Sequence, residues 1–521
     1  MFRQLESKKE KFLAAFGFTA LFFVLAHGYR FMNTAFSGDS LITVYQNDAA
    51  WEIALGRFVQ PILIMLRGSL ESSYLICVIS LFFMGLSVYL VVDFLEIKRL
   101  VSVIAVSAVM TCNVTVTATN ATYIGYADLY FIALFLAVAG VWLIHKSKPL
   151  YIIVGAFTLG MSMGTYQAYI CVSIGLVMIY YIFRMQKGPE FKSIVSSVLK
   201  YFFAFLGAAV IYIAVWKLFQ NVFGIWTADS YNGLSDIGDY STVSLWTVIA
   251  DTYGNVLRYF WEVASFATVS FRGIDLSIFW VYIQRFCNVA VCVITVVLLI
   301  GLNLKRNTAL WHRLLQVLII LVFPLGINFV SLLTKGMQHT LMMYAFGLVY
   351  ILAVKAADDM EPKEQCEVSV RPVTVFRVGV LGLLAVLTWA NIVYSNQVYL
   401  KKELQDKATL SRLTRIVQEI ETLEGYIPGQ TPVAFYGSFE RNPYIAQPEA
   451  FKDILPLGMG KTSLTYEGTY HPYLKYIMNV EMLTTQMSDR DERVQQMPCY
   501  PERGSIMYVD GTVVVKISEM N

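Results

Sequence analysis

Residues 70–95 read LESSYLICVISLFFMGLSVYLVVDFL, and over residues 72–92 no side chain is charged. The core of a bilayer is about 30 Å thick and a helix crosses it with roughly 20 apolar residues, so this stretch predicts a membrane-spanning helix. Comparable stretches lie near residues 12–33, 100–113, 126–145, 149–164, 167–185, 197–219, 279–303, 310–333, 339–356 and 373–395. With 70–95 they make eleven expected crossings. Composition agrees: 57% of the 521 residues are hydrophobic and 15% are charged, too apolar for a soluble domain of this size. The expected fold class is an α-helical polytopic membrane protein.

The basic residues between these stretches select an orientation. Lys8, Lys9, Lys11, Lys98, Arg99, Lys146, Lys148, Arg184, Lys187, Lys192, Lys305, Arg306, Arg313, Lys363 and Arg371 all fall on one side, which the positive-inside rule makes cytoplasmic. An amino terminus inside and eleven crossings put the carboxyl terminus outside. The polar, basic start is followed by about 20 apolar residues without a small-residue cleavage site, so it reads as a retained first span. A net charge of +3 offers no concentrated basic face and argues against nucleic acid as a partner. The seven cysteines show no CxxC or CxxH spacing, and no metal site is expected.

Two outer segments, residues 34–68 and 220–278, are too long for simple turns. Within residues 47–66, Trp51, Ala54, Leu55 and Phe58 recur at helical spacing with Asp48 and Glu52 on another face, predicting one helix lying in the outer interface. The second segment opens with a Gly/Asp/Ser-rich loop over residues 229–240, then an aromatic stretch over 246–271 suited to interfacial depth. Beyond the last span, Leu413, Ile416, Ile420 and Leu423 mark an amphipathic helix. A strand over 431–437 and a hairpin around Asp510-Gly511 complete a small extracytoplasmic α/β domain, expected over residues 396–521 beside a membrane domain over 1–395.

Ionisable residues gather at the outer ends of the spans: Arg30, Asp39, Asp48, Arg57, Asp128, Arg272, Arg285, Lys335 and His339. Charge at such depth is costly unless paired or used, so the pattern points to an enzyme working at the membrane surface. An acid in the first outer loop, Asp39 in Gly38-Asp39-Ser40-Leu41 or Asp48 after it, could take a proton from an acceptor hydroxyl. The ordinary alternative for Asp39 is a turn or helix cap.

A longer set of pieces gives context. In order they are Gly38-Asp39-Ser40-Leu41, Trp51 with Gly56-Arg57, Tyr123 with Asp128-Leu129-Tyr130, Tyr166-Gln167, and Gly326-Ile327-Asn328, then a helix and strand domain after the last span. In this order the chain resembles the bacterial type-two Gtr glucosyltransferases, membrane enzymes of the GT-C architecture that modify O-antigens and related cell-envelope polysaccharides. Many members carry two adjacent acids followed by an arginine, where this chain has Gly38-Asp39 and Thr43, so Asp39 and Asp48 both stand as candidate bases.

The resemblance implies a polyprenyl-phosphate-linked sugar donor, a cell-envelope glycan acceptor, transfer with inversion, no cofactor, and residence in the bacterial inner membrane among its lipids. One carboxylate would deprotonate the acceptor, and cations would hold the leaving phosphate. Arg57, Lys335, Arg272 and Arg285 qualify by position, with snorkelling to lipid headgroups as the bland account of Arg272 and Arg285. Trp51, Asp128, Tyr166, Gln167 and His339 would contact the substrate. Interhelical polar pairing accounts equally well for Gln167 and Tyr166, and interface anchoring for His339.

Two other functions compete. A flippase or transporter of lipid-linked sugar would place ionisable groups near the midplane of broken helices. A non-catalytic envelope protein would bind through its outer domain and leave the acidic loop and the Gly56-Arg57 segment unexplained.

Overall fold

The computed structural model describes residues 4–46, 48–228, 240–241, 243–272, 274–305, 308–336, 338–360, 367–446, 464, 467–486 and 491–519. Most of the expected loop at 229–240 lies outside these residues. A capping box closes the start of α1 (Lys8–Met32): the Ser7 side chain accepts from Glu10 N, and the Glu10 carboxylate reaches back to Ser7 N. Three short helices follow: α2 (Gly38–Thr43), α3 (Ala50–Ala54) and α4 (Gln60–Arg67).

The bundle continues with α5 (Ser73–Phe94), α6 (Leu100–Thr111), α7 (Val114–Thr122), α8 (Ala127–His145), α9 (Pro149–Thr165), α10 (Ile170–Met185) and α11 (Phe191–Phe223). Then come α12 (Leu245–Trp261), a hairpin of β1 (Ser270–Phe271) and β2 (Ile274–Asp275), α13 (Ser277–Lys305), α14 (Leu310–Ile327), α15 (Phe329–Leu333), α16 (Leu348–Asp359) and α17 (Glu367–Glu421).

Among the described residues, nine helical stretches are long and apolar enough to cross a membrane. A tenth forms if α6 and α7, bent by 41° at Cys112-Asn113, count as one span. The eleventh expected crossing is α9, apolar but only 17 residues long. Close approach of α8 and α9 needs small residues: a Cβ at Gly155 would lie 2.8 Å from the Gly140 carbonyl.

The single interfacial helix expected over 47–66 is instead α3 and α4. Gly56 breaks it, with φ +78° and a position where an added Cβ would meet the Tyr212 hydroxyl at 2.2 Å. Pro61 then starts α4.

The ends of the bundle differ in chemistry. At one end, Leu5 N donates to Lys98 O, Lys146 pairs with Asp93, Lys187 with Glu96 and Arg99 with Asp358, so the basic loops gather there. At the other end stand α2, α3, α4 and a small C-terminal domain.

α17 runs 55 residues without interruption, first through the bundle and then as a stalk into that domain. Leu413, Ile416, Val417 and Ile420 bury against a three-stranded sheet of β3 (Val433–Tyr436), β4 (Ile506–Val509) and β5 (Thr512–Lys516). β5 is central, parallel to β3 and antiparallel to β4. Asp510 and Gly511 form the two-residue turn between β4 and β5, both at positive φ as such a tight hairpin requires. Leu41 of α2 is fully buried within the same apolar cluster, so the first loop is docked on the C-terminal domain.

Candidate functional site

Three spans begin at this end in tighter 3-10 turns: Ile124–Tyr126 before α8, Gln167–Tyr169 before α10 and Thr340–Gly347 before α16. The first turn is the hub. Tyr123 before it meets His339, with 3.3 Å between the hydroxyl and Nε2. Gly125 within it gives its carbonyl to Arg67 Nη1 at 2.7 Å. Tyr126 at its end donates its hydroxyl to Glu52 Oε1 at 2.7 Å.

Arg57 stands on one side of this hub. Its guanidinium lies 5.2 Å from the Tyr166 ring centroid, and its charge acts on Tyr126, Tyr212 and His339. Burial and the Arg57 charge together hold the His339 imidazole below its usual pKa, favouring the neutral ring. Gln167 Nε2 donates to Leu55 O at 2.6 Å and to the Tyr212 hydroxyl at 3.1 Å, fixing the chain just before Gly56-Arg57. The structure thus brings Arg57, Tyr166, Gln167 and His339 into one neighbourhood.

On the other side lies the first loop. The Ser37 side chain accepts from Ser40 N and caps α2, which leaves Asp39 in the first turn with its carboxylate uncommitted to capping. Asp39 is open on one face, yet the protein around it raises its pKa above the ordinary value, opposed by the charge of Lys402 on α17. Thr43, one turn on, donates to Glu71 Oε2 at 2.9 Å. Burial pushes the Glu71 carboxyl up, opposed by the Arg30 charge, the Thr43 bond and Arg67.

Beneath the hub, Asp128 is bound to Arg67 at 2.8 Å, both side chains almost wholly buried. The remaining nominated residues are dispersed. Asp48 is exposed and accepts from Ala50 N at 3.0 Å, ahead of α3. Trp51 is 53% exposed on the outward side of that helix. Arg285 donates to Trp261 O and lies 4.7 Å from the Trp261 ring centroid, while Arg272 turns the β1–β2 hairpin at φ +51°. Lys335 is half-buried at φ +53° on the loop leading to His339. Asn328 caps α14, and Gln338 Nε2 donates to its Oδ1 at 3.1 Å.

Sequence reasoning did not nominate Glu52, Tyr126 or Lys402. Glu52 looked like part of a solvated polar face, yet it is only 5% exposed. No pattern in the sequence marks that burial, which depends on how α3 seats against α11. Lys402 lies far along the chain from Asp39 and only the docking of α2 reveals their proximity. A small cleft lined by Asn113, Glu262, Gln284, Asn288, Tyr350 and Asn391 lies elsewhere and holds none of the nominated residues.

Comparison with known proteins adds the chemistry. No similar curated protein and no similar solved structure was found. A family model for the glucosyl transferase GtrII matches residues 28–352, which contain α2, the hub, Arg57 and His339. With well over half of the chain covered, this membrane protein belongs to the GtrII glucosyl transferase family and is a glycosyltransferase.

Proposed function

We propose that the chain moves glucose with inversion from a polyprenyl-phosphate carrier to a cell-envelope glycan, at the face of the bacterial inner membrane opposite the cytoplasm. The observation that carries this reading is the pairing of an acid and a cation around one hub, with Asp39 and Arg57 flanking the Ile124–Tyr126 turn at the end of the bundle away from the basic loops. In the step itself, Asp39 takes the proton of the acceptor hydroxyl as its oxygen attacks the anomeric carbon. The bond from that carbon to the phosphate oxygen breaks, and the pair of electrons leaves with the polyprenyl phosphate. Arg57, with Lys335 on the neighbouring loop, holds the departing charge. Tyr166, Gln167 and His339 shape the donor side. Arg285, beside Trp261, and Arg272, on the β1–β2 hairpin, are suited to lipid headgroups.

A guanidinium grips phosphate through two parallel hydrogen bonds, whereas an ammonium offers only a point charge. Arg57→Lys is therefore expected to lose about 10-fold or more in initial rate at low donor, as for a lost charge-assisted bond. The assay is transfer from glucosyl phosphopolyprenol to cell-envelope glycan by protein in lipid nanodiscs. A lysine variant matching wild type at every donor concentration would reduce Arg57 to a membrane anchor.

Orientation has its own test. The C-terminal domain stands at the end opposite the basic loops, so a reporter fused after Asn521 should be active outside the cytoplasm. Activity on the cytoplasmic side would put the site on the wrong face for this donor.

A further inference from the structure

Glu52 presents an unusual valence. Its Oε1 accepts the Tyr126 hydroxyl, while its Oε2 is buried without a hydrogen-bond partner among the described residues. A buried acceptor left without a donor costs free energy, and a charged one costs more than a neutral one. Its surroundings indicate a use. Tyr126 stacks on Tyr130 with ring centroids 6.2 Å apart, and Tyr130 meets Tyr166 at 4.6 Å, so a run of aromatic faces leads from Glu52 to Arg57. Arg57 N donates to Glu52 O at 2.7 Å, so one backbone turn holds both side chains.

This arrangement divides one ligand into two parts. The carboxyl oxygen would repel a phosphate and welcomes a neutral donor such as a hydroxyl. Tyr130 and Tyr166 are buried, and the half-buried Tyr126 ring suits an apolar C–H face of a pyranose, while Arg57 suits an anion attached to it. Resting on the donor reading above, we infer that Glu52 is a specificity-determining residue that accepts a hydroxyl of the transferred hexose through Oε2, with Tyr126 fixing the carboxyl through Oε1. The role is distinct from that of the base, which the proposed function assigns to Asp39 on α2.

The test is a binding measurement on the full chain in nanodiscs, using glucosyl phosphate on a short isoprenyl chain and the four donors deoxygenated at C2, C3, C4 or C6 of the glucose. Wild type is expected to lose affinity for one deoxy donor, and Glu52→Gln to bind the parent donor about 10- to 100-fold more weakly, as for a lost bond to a charged acceptor. The Gln variant should no longer distinguish that deoxy donor from the parent. Its thermal midpoint should stay close to that of wild type, because the amide oxygen can still accept the Tyr126 hydroxyl. A Gln variant that binds and discriminates as wild type does would overturn the inference and leave the donor reading standing. So would a variant that loses stability and binds all five donors worse by the same factor. Tyr126→Phe gives an independent check, since it frees Oε1 and should blur the same discrimination. No binding of the parent donor by wild type would overturn the donor reading and this inference together.

Discussion

Asp39→Asn is expected to lower glucose transfer by about 10²- to 10⁴-fold, the usual worth of a positioned general base, with expression and thermal midpoint unchanged. Asparagine caps a helix as well as aspartate does, so the argument against a capping role is that Ser37 performs that task in α2. The pH dependence supplies a second arm. A base must be ionised to work, and burial raises the Asp39 pKa, so the acid limb of the rate profile should lie above the ordinary carboxylate range. Lys402 stabilises the ionised form, and Lys402→Met should therefore move that limb to still higher pH. Near-normal transfer by Asp39→Asn, together with loss in Asp48→Asn, would assign the proton transfer to Asp48. An unshifted limb in Lys402→Met would remove the stalk helix from the site's electrostatics.

The second large effect concerns the fold beneath the hub. Asp128→Ala should destabilise the protein by about 3–5 kcal/mol, because it strands the Arg67 guanidinium in a place it cannot hydrate. Arg67 is 3% exposed and donates from the same nitrogen to Gly125 O and Asp128 Oδ1, so its loss of partner is felt directly at the turn that carries Tyr126. Replacing both partners, Arg67→Met with Asp128→Leu, should recover most of the stability, since two matched apolar side chains avoid desolvating either charge. Reversible unfolding in mixed micelles measures all three proteins. An Asp128→Ala variant as stable as wild type would show that Asp128 is free for substrate, the role its place at a span end first suggested.

Much of the fold was legible because a bilayer demands long uncharged runs, and Ser73–Phe94 or Leu310–Ile327 can be read from composition alone. The Asp510-Gly511 turn was equally plain, since its two positive φ angles need those residue types. What periodicity could not supply was the break at Gly56. Trp51, Ala54, Leu55 and Phe58 keep helical spacing across it, and the left-handed backbone at Gly56, where Tyr212 and Gln167 crowd the place of an added Cβ, is visible only in the structure.

The site divides in the same way. Arg57, Tyr166, Gln167 and His339 stood out as polar residues at span ends, and they do converge. Asp128 stood out for the same reason, but its charge is taken by Arg67, a residue that no motif singled out. Glu52 was hidden by its neighbours: beside an exposed Trp51 an acid reads as solvated, and burial depends on how α3 seats against α11.

The continuous α17 helix has a mechanical consequence. Because each residue in a helix advances the axis by about 1.5 Å and turns it by about 100°, the stalk acts as a keyed shaft between membrane and domain. Lys402 meets Asp39, and Leu413 to Ile420 meet the sheet that also holds Leu41, only at one angular setting. A single residue gained or lost between those two contacts would swing the domain by more than a quarter turn and pull the first loop out of register with it. The length of the shaft is thus tied to the geometry at the membrane, whereas the outer surface of the domain is not.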